Sequence, residues 1–125
     1  MTPFVLLLLA VAGGLGALAR FGLDTWVRSR VRSDLPWGTI IINLSGSLVL
    51  GVLTGLAAAH AAPVEWQLVL GVGFLGGYTT FSTASFETVR LCQQRRWGAG
   101  LATATGVLVG GTALAALGLW LGSLL

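Results

Sequence analysis

The chain has no lysine, one cysteine, one histidine and four acidic residues, so only 9% of its 125 positions are charged. Charge that sparse does not keep a globular surface dissolved in water, and no soluble domain is expected. The lone Cys92 rules out an intrachain disulfide and a cysteine-rich metal site; it reads as a small apolar residue in a packed interior. Every basic residue is an arginine, and the net charge is +3 with a pI near 10.6. Such a balance can signal nucleic-acid binding. Here the arginines sit at the boundaries of apolar runs, where membrane topology explains them better and no nucleic-acid partner is expected.

What fills the chain is apolar: 55% hydrophobic residues, 19 glycines and a mean hydropathy of +0.90. These values describe an all-α protein that crosses a membrane several times. A spanning helix takes about 20 mostly apolar residues. Four such segments divide the chain, at about 3–27, 37–60, 65–91 and 98–124, and together they form one domain over 1–125. Leu6 to Ala19 resembles a signal peptide, but it lacks a basic start and its apolar character continues past Arg20 to Val27. A retained first helix is expected.

Arg28, Arg30 and Arg32 fall in the first predicted loop, and Arg90, Arg95 and Arg96 in the third. The N-terminus, the second loop around Ala61 to Glu65 and the C-terminus carry no basic side chain. The positive-inside rule places the arginine loops in the cytoplasm and both termini outside. Trp26, Trp37, Trp66, Trp97 and Trp120 all lie at predicted span ends, where tryptophan prefers the headgroup level. The two signals agree on four crossings.

Small residues at helical spacing let membrane helices approach closely. Ser47, Gly51 and Gly55 form such a ridge, and Asn43 extends it, so Asn43 points at another helix as an interhelical hydrogen-bond partner or as a pore lining. Gly13, Gly16 and Ala17 precede Arg20, followed by Asp24 and Arg28 at four-residue steps that permit pairing. Arg20 is either part of a structural ion pair or a fixed positive charge that draws anions into a vestibule.

The segment from Gly73 to Thr83 puts glycines and consecutive hydroxyls in the middle of an apolar span. Irregular backbone at that depth is tolerated only where it is buried in protein or lines a polar cavity. If helix resumes after the glycines, Thr79, Thr83 and Glu87 share one polar stripe. An intramembrane Glu87 suggests function, and its bland alternative is an ion pair with Arg90.

The chain resembles Fluc-type fluoride channels, the CrcB family. The likeness rests on Gly13-Gly14-Leu15-Gly16-Ala17-Leu18-Ala19-Arg20-Phe21, on Gly38-Thr39 with Asn43 and Gly46, and on Gly73-Phe74-Leu75-Gly76-Gly77-Tyr78-Thr79-Thr80-Phe81-Ser82-Thr83. The resemblance implies a four-helix subunit with a break in helix 3, assembled as an antiparallel dimer in the cell membrane and exporting fluoride passively. It also implies a fluoride path lined by Asn43, Phe81, Ser82 and Thr83, with Arg20 and Glu87 as charged candidates. A central sodium ion would rest on the carbonyls of Gly76 and Thr79.

Two positions depart from the family pattern: Ala84 stands where a second phenylalanine is common, and a fourth-helix tyrosine has no clear counterpart, Thr103 being the nearest. Phe86 lies about 160° around the helix from position 84 and does not replace the missing ring. The one-sided arginines favour a single orientation, hence an oppositely oriented paralogue as partner rather than a second copy. The alternatives are a non-conducting structural subunit, a small multidrug-type antiporter, which lacks its carboxylate deep in span 1, and an enzyme built on Ser82, His60 and Glu87. No enzyme is expected, since those three residues fall at different depths.

Overall fold

The computed structural model describes residues 1–125 as helices joined by short connections. The first helix, α1, runs Pro3–Arg30. The Thr2 hydroxyl accepts the Val5 N–H at 3.2 Å, and Pro3 occupies a first-turn position where no N–H is needed. At 28 residues it is about 42 Å long. The helix outlasts its expected end at residue 27 and takes in Arg28 and Arg30. They belong to its last turn rather than to a loop, where cations suit the negative end of the helix dipole. Arg90 is likewise helical.

After Pro36, α2 spans Trp37–Ala58. The next helix, α3, covers 64–78 and is wound as a π-helix over Gln67–Leu75. Thr79 and Thr80 then adopt extended backbone, with φ/ψ of −78°/160° and −149°/118°. Helix resumes as α4, Phe81–Gln93, with the Thr80 hydroxyl accepting the Thr83 N–H at 3.1 Å. The last helix, α5, spans Trp97–Leu124 and contains a π-type stretch at Gly106–Gly110. Three helices, α1, α2 and α5, are long and apolar enough to cross a membrane.

The glycines of the central motif do not themselves break the helix. Gly76 and Gly77 remain helical, and Gly77 lies against the Gly13 backbone so closely that an added Cβ would sit 2.9 Å from the Gly13 carbonyl carbon. Gly16 and Gly73 are spent in the same way on the contact between α1 and α3. Because Thr79 leaves the helix, it does not share a stripe with Thr83 and Glu87. Those two do lie four residues apart on α4.

The most extensive packing joins α2 to α5. Gly51 and Gly55 face the α5 backbone at Ala115 and Leu119, and Gly118 and Gly122 face the α2 backbone at Leu48 and Val52. The expected ridge on α2 is therefore met by a second glycine pair on its partner. Only 22 of 125 residues are buried. In water so small a core would not offset the conformational entropy of folding, but in lipid the exposed leucines and valines already have their preferred solvent. The five tryptophans are all exposed, from 39% at Trp37 to 66% at Trp97, as headgroup-level residues should be.

Candidate functional site

The two extended residues are held by one side chain. Asn43, on α2 and 7% exposed, donates from Nδ2 to the Thr80 carbonyl at 2.9 Å and accepts the Thr80 N–H on Oδ1 at 2.8 Å. The pairing fixes the amide orientation, since reversing it would set donor against donor. It also diverts the Thr80 N–H from Gly76, whose carbonyl it would reach in a continuous helix. The Thr79 hydroxyl turns back to the Leu75 carbonyl at 2.9 Å, and the Thr79 carbonyl accepts no hydrogen bond. Two backbone oxygens, at positions 76 and 79, thereby lose their usual helical donors.

Around this clamp the site residues divide by exposure. Phe81 is 88% exposed and Ser82 and Gly76 are exposed, whereas Thr83 is half-buried. Nothing beyond its chain neighbours and its own helix backbone lies within 4 Å of a Cβ built on Gly76. Asn43, Gly76, Thr79, Thr80 and Phe81 border a cavity of about 490 Å³. Both polar functions of Asn43 are engaged, leaving one Nδ2 hydrogen for any further partner. The Ser82 hydroxyl lies 3.4 Å from that of Thr80.

A second cluster lies at the arginine-bearing end. Glu87 accepts the Thr39 hydroxyl at 2.9 Å and Arg28 Nη2 at 3.5 Å, while Arg28 Nε donates to Asp24 at 3.0 Å. The expected Glu87–Arg90 pair does not form, because Thr39 and Arg28 approach the carboxylate from the neighbouring helices α2 and α1. Arg20 makes no ion pair or hydrogen bond, so the structure does not join it to Asn43 or to Glu87; Asp24 chooses Arg28. The other Asp24 oxygen is buried without a partner beside Gly38, where any Cβ would collide with it. A glycine at 38 lets this carboxylate approach the positive N-terminus of α2.

Comparison with known proteins shows the family of the chain. Residues 7–119 match the family described as CrcB-like protein, Camphor Resistance (CrcB). The chain belongs to the CrcB family. A relative from Leifsonia xyli subsp. xyli, named fluoride-specific ion channel FluC 1, is 56% identical over 124 residues, covering 99% of this chain and 90% of its own. The fluoride-specific ion channel FluC of Thermus thermophilus is 43% identical, with 95% and 94% covered. The FluC 2 protein of Cutibacterium acnes is 44% identical, with 94% and 97% covered.

With three apolar helices of spanning length, this CrcB protein is a multi-pass protein of the cell membrane. Ala84 is 7% exposed and borders an apolar cavity of about 610 Å³ with Ser47, Phe81, Thr103 and Gly111. Phe86, 67% exposed, does not line that cavity. Thr103 is fully buried and its hydroxyl donates to the Ala99 carbonyl at 2.9 Å, so it offers no free hydroxyl in place of a tyrosine.

Ser82, His60 and Glu87 are not brought together in this CrcB chain. Glu87 is bonded to Thr39, near the start of α2, and His60 lies 21 positions further on, just past its end, a separation of about 30 Å along the helix. Two further residues, Thr80 and Thr39, contribute to the site. Thr80 carries the clamp and the cap, and its signal was a capping-type residue directly ahead of an amphipathic run. Thr39 had no signal beyond its place in the Gly38-Thr39 motif.

Proposed function

We propose that this chain is a subunit of a fluoride-specific channel that exports fluoride passively from the cytoplasm. The observation that carries the proposal is the 56% identity, over nearly the whole chain, to a protein named for that activity. Fluoride is small and strongly hydrated, so a path for it must replace water with close donors. The remaining Asn43 amide hydrogen, the Ser82 and Thr83 hydroxyls and the positive ring edge of Phe81 are groups of that kind. Phe81 and Ser82 point outward from the subunit, which suits a path completed by a partner. Arg20 and Glu87 act from further along, biasing the approach.

The 64–93 stretch is one crossing broken at Thr79-Thr80, the third of four in chain order. Two subunits pair antiparallel across the exposed face that carries Gly76 and Phe81. The free Thr79 carbonyl and the undercoordinated Gly76 carbonyl fit a sodium ion, a hard cation that takes neutral oxygens. Two carbonyls are too few for one cation, and a second subunit would supply two more. Bound sodium would hold the two breaks together.

The one-sided arginines favour a partner of opposite orientation, a paralogue, over a second copy. Ala84 then marks the subunit as one half of an unequal pair, and a non-conducting structural role is the second reading. The test is fluoride efflux from liposomes holding this chain alone, or with a paralogue of opposite arginine bias, with chloride as control. Efflux is expected with the paralogue and not without it. Robust efflux from the chain alone, inserted in both orientations, refutes the unequal pair; no fluoride efflux in either case refutes the channel.

A further inference from the structure

At the arginine-bearing end, between α1, the first connection, α2 and α4, lies a cavity of about 440 Å³. We propose that it binds the phosphate of an anionic phospholipid in the leaflet that faces the arginines. The inference does not depend on what the protein conducts.

Four arginines and three carboxylates line this cavity, leaving one positive charge in excess. The charges are layered by burial. The carboxylates of Glu87 and Asp24, 14% and 27% exposed, form the floor and are answered by Arg28. Arg96 pairs with Asp34 nearer the surface. Arg32 and Arg90 line the same cavity, are exposed and have no acceptor. Two unpaired guanidinium groups lining one cavity offer N–H donors of the kind that grip phosphate oxygens.

The depth is that of lipid headgroups. Trp26 and Trp97 are exposed at the same end, Trp37 borders the cavity itself, and the Arg30 guanidinium lies over the Trp26 ring at 5.6 Å. Basic pockets between membrane helices on the positive side are suited to lipid headgroups. The lining distinguishes the ligand further. Val27, Val31, Leu35 and Leu91 share the wall with the arginines, offering contact to the glycerol and upper acyl carbons. A single excess charge matches a singly charged phosphodiester better than a doubly charged free phosphate, and fluoride is too small to fill the space.

The test uses the purified full chain in detergent with equal amounts of phosphatidylglycerol and phosphatidylcholine, the retained lipid being counted by native mass spectrometry. The wild-type protein should retain phosphatidylglycerol preferentially. Arg32→Gln and Arg90→Gln should each lower that preference about fivefold, the worth of roughly one basic residue at an anionic surface. Arg95→Gln, exposed and outside the cavity, should leave it unchanged. Because both cavity arginines are exposed and outside the helix packing, the single variants should fold. A preference unaffected by either variant overturns the proposal. So does complete displacement of the lipid by excess inorganic phosphate, which would make the cavity a free-anion site.

Discussion

Asn43 and Thr80 are joined by two reciprocal hydrogen bonds, 2.9 Å from Nδ2 to the Thr80 carbonyl and 2.8 Å from the Thr80 N–H to Oδ1. One side chain thereby satisfies both backbone groups of a residue that left its helix, at a depth where water cannot. The same pairing diverts the donor from Gly76, while the Thr80 hydroxyl takes the Thr83 N–H that the Thr79 carbonyl would accept in a continuous helix.

Asn43→Leu keeps the branched heavy-atom outline, though the side chain is bulkier, and removes both bonds, leaving a buried N–H and a buried C=O unpaired. Each such group costs about 1–3 kcal/mol, so a clear fall in thermal midpoint is expected together with loss of fluoride flux. If the variant melts at the wild-type midpoint and still lacks flux, Asn43 acts on the ion alone and the clamp is unimportant. Ser45→Ala, which removes the 3.0 Å contact to the Tyr78 hydroxyl and a local bond to the Ile42 carbonyl at 3.2 Å but leaves the clamp intact, should be milder on both measures.

Phe81 should behave in the opposite way. At 88% exposure it contributes little to the subunit's own packing, so Phe81→Ala is expected to shift stability by no more than about 0.5 kcal/mol. Flux should fall about three- to tenfold, the equivalent of one aromatic contact of roughly 0.5–1.5 kcal/mol. Unchanged efflux in liposomes would remove Phe81 from the ion path.

Neighbouring glycines should separate close packing from open surface. Gly77→Ala drives a methyl group into the Gly13 backbone, an overpacking of about 1–3 kcal/mol. Gly76→Ala meets nothing within 4 Å in the subunit beyond its chain neighbours and its own helix backbone and should leave the melting of the isolated subunit intact, while weakening a dimer that closes over this face. Crosslinking yield and thermal midpoint, measured on both variants, distinguish the two effects. Equal midpoints would show that the α1–α3 contact does not depend on Gly77.

Ala84→Phe adds a ring beside a cavity of about 610 Å³, and the variant should fold with a midpoint at or above that of the wild type. Co-expressed with the paralogue, it should raise total efflux if the hollow marks an unequal pore. A lowered midpoint would mean that the ring has no low-strain rotamer there.

The sequence by itself determined the class, the apolar helices and their flanking tryptophans, and the segment in which the backbone becomes irregular. These follow from composition and periodicity, which act along the chain: a lipid-facing helix must be apolar for its whole length, and a headgroup-level residue must fall at its end. Membership of the CrcB family was legible in the same way, from motifs that are contiguous in the chain. The tertiary structure decided what those motifs do. Whether glycine or threonine leaves the helix depended on Gly77 meeting Gly13 and on Asn43 reaching Thr80, contacts 64 and 37 residues apart in sequence. The partner of Glu87 was settled likewise, by Thr39 and Arg28 from two other helices rather than by Arg90 on its own. A polar group in a membrane interior takes whichever partner packing brings within about 3 Å, and that distance is fixed only when the helices have met.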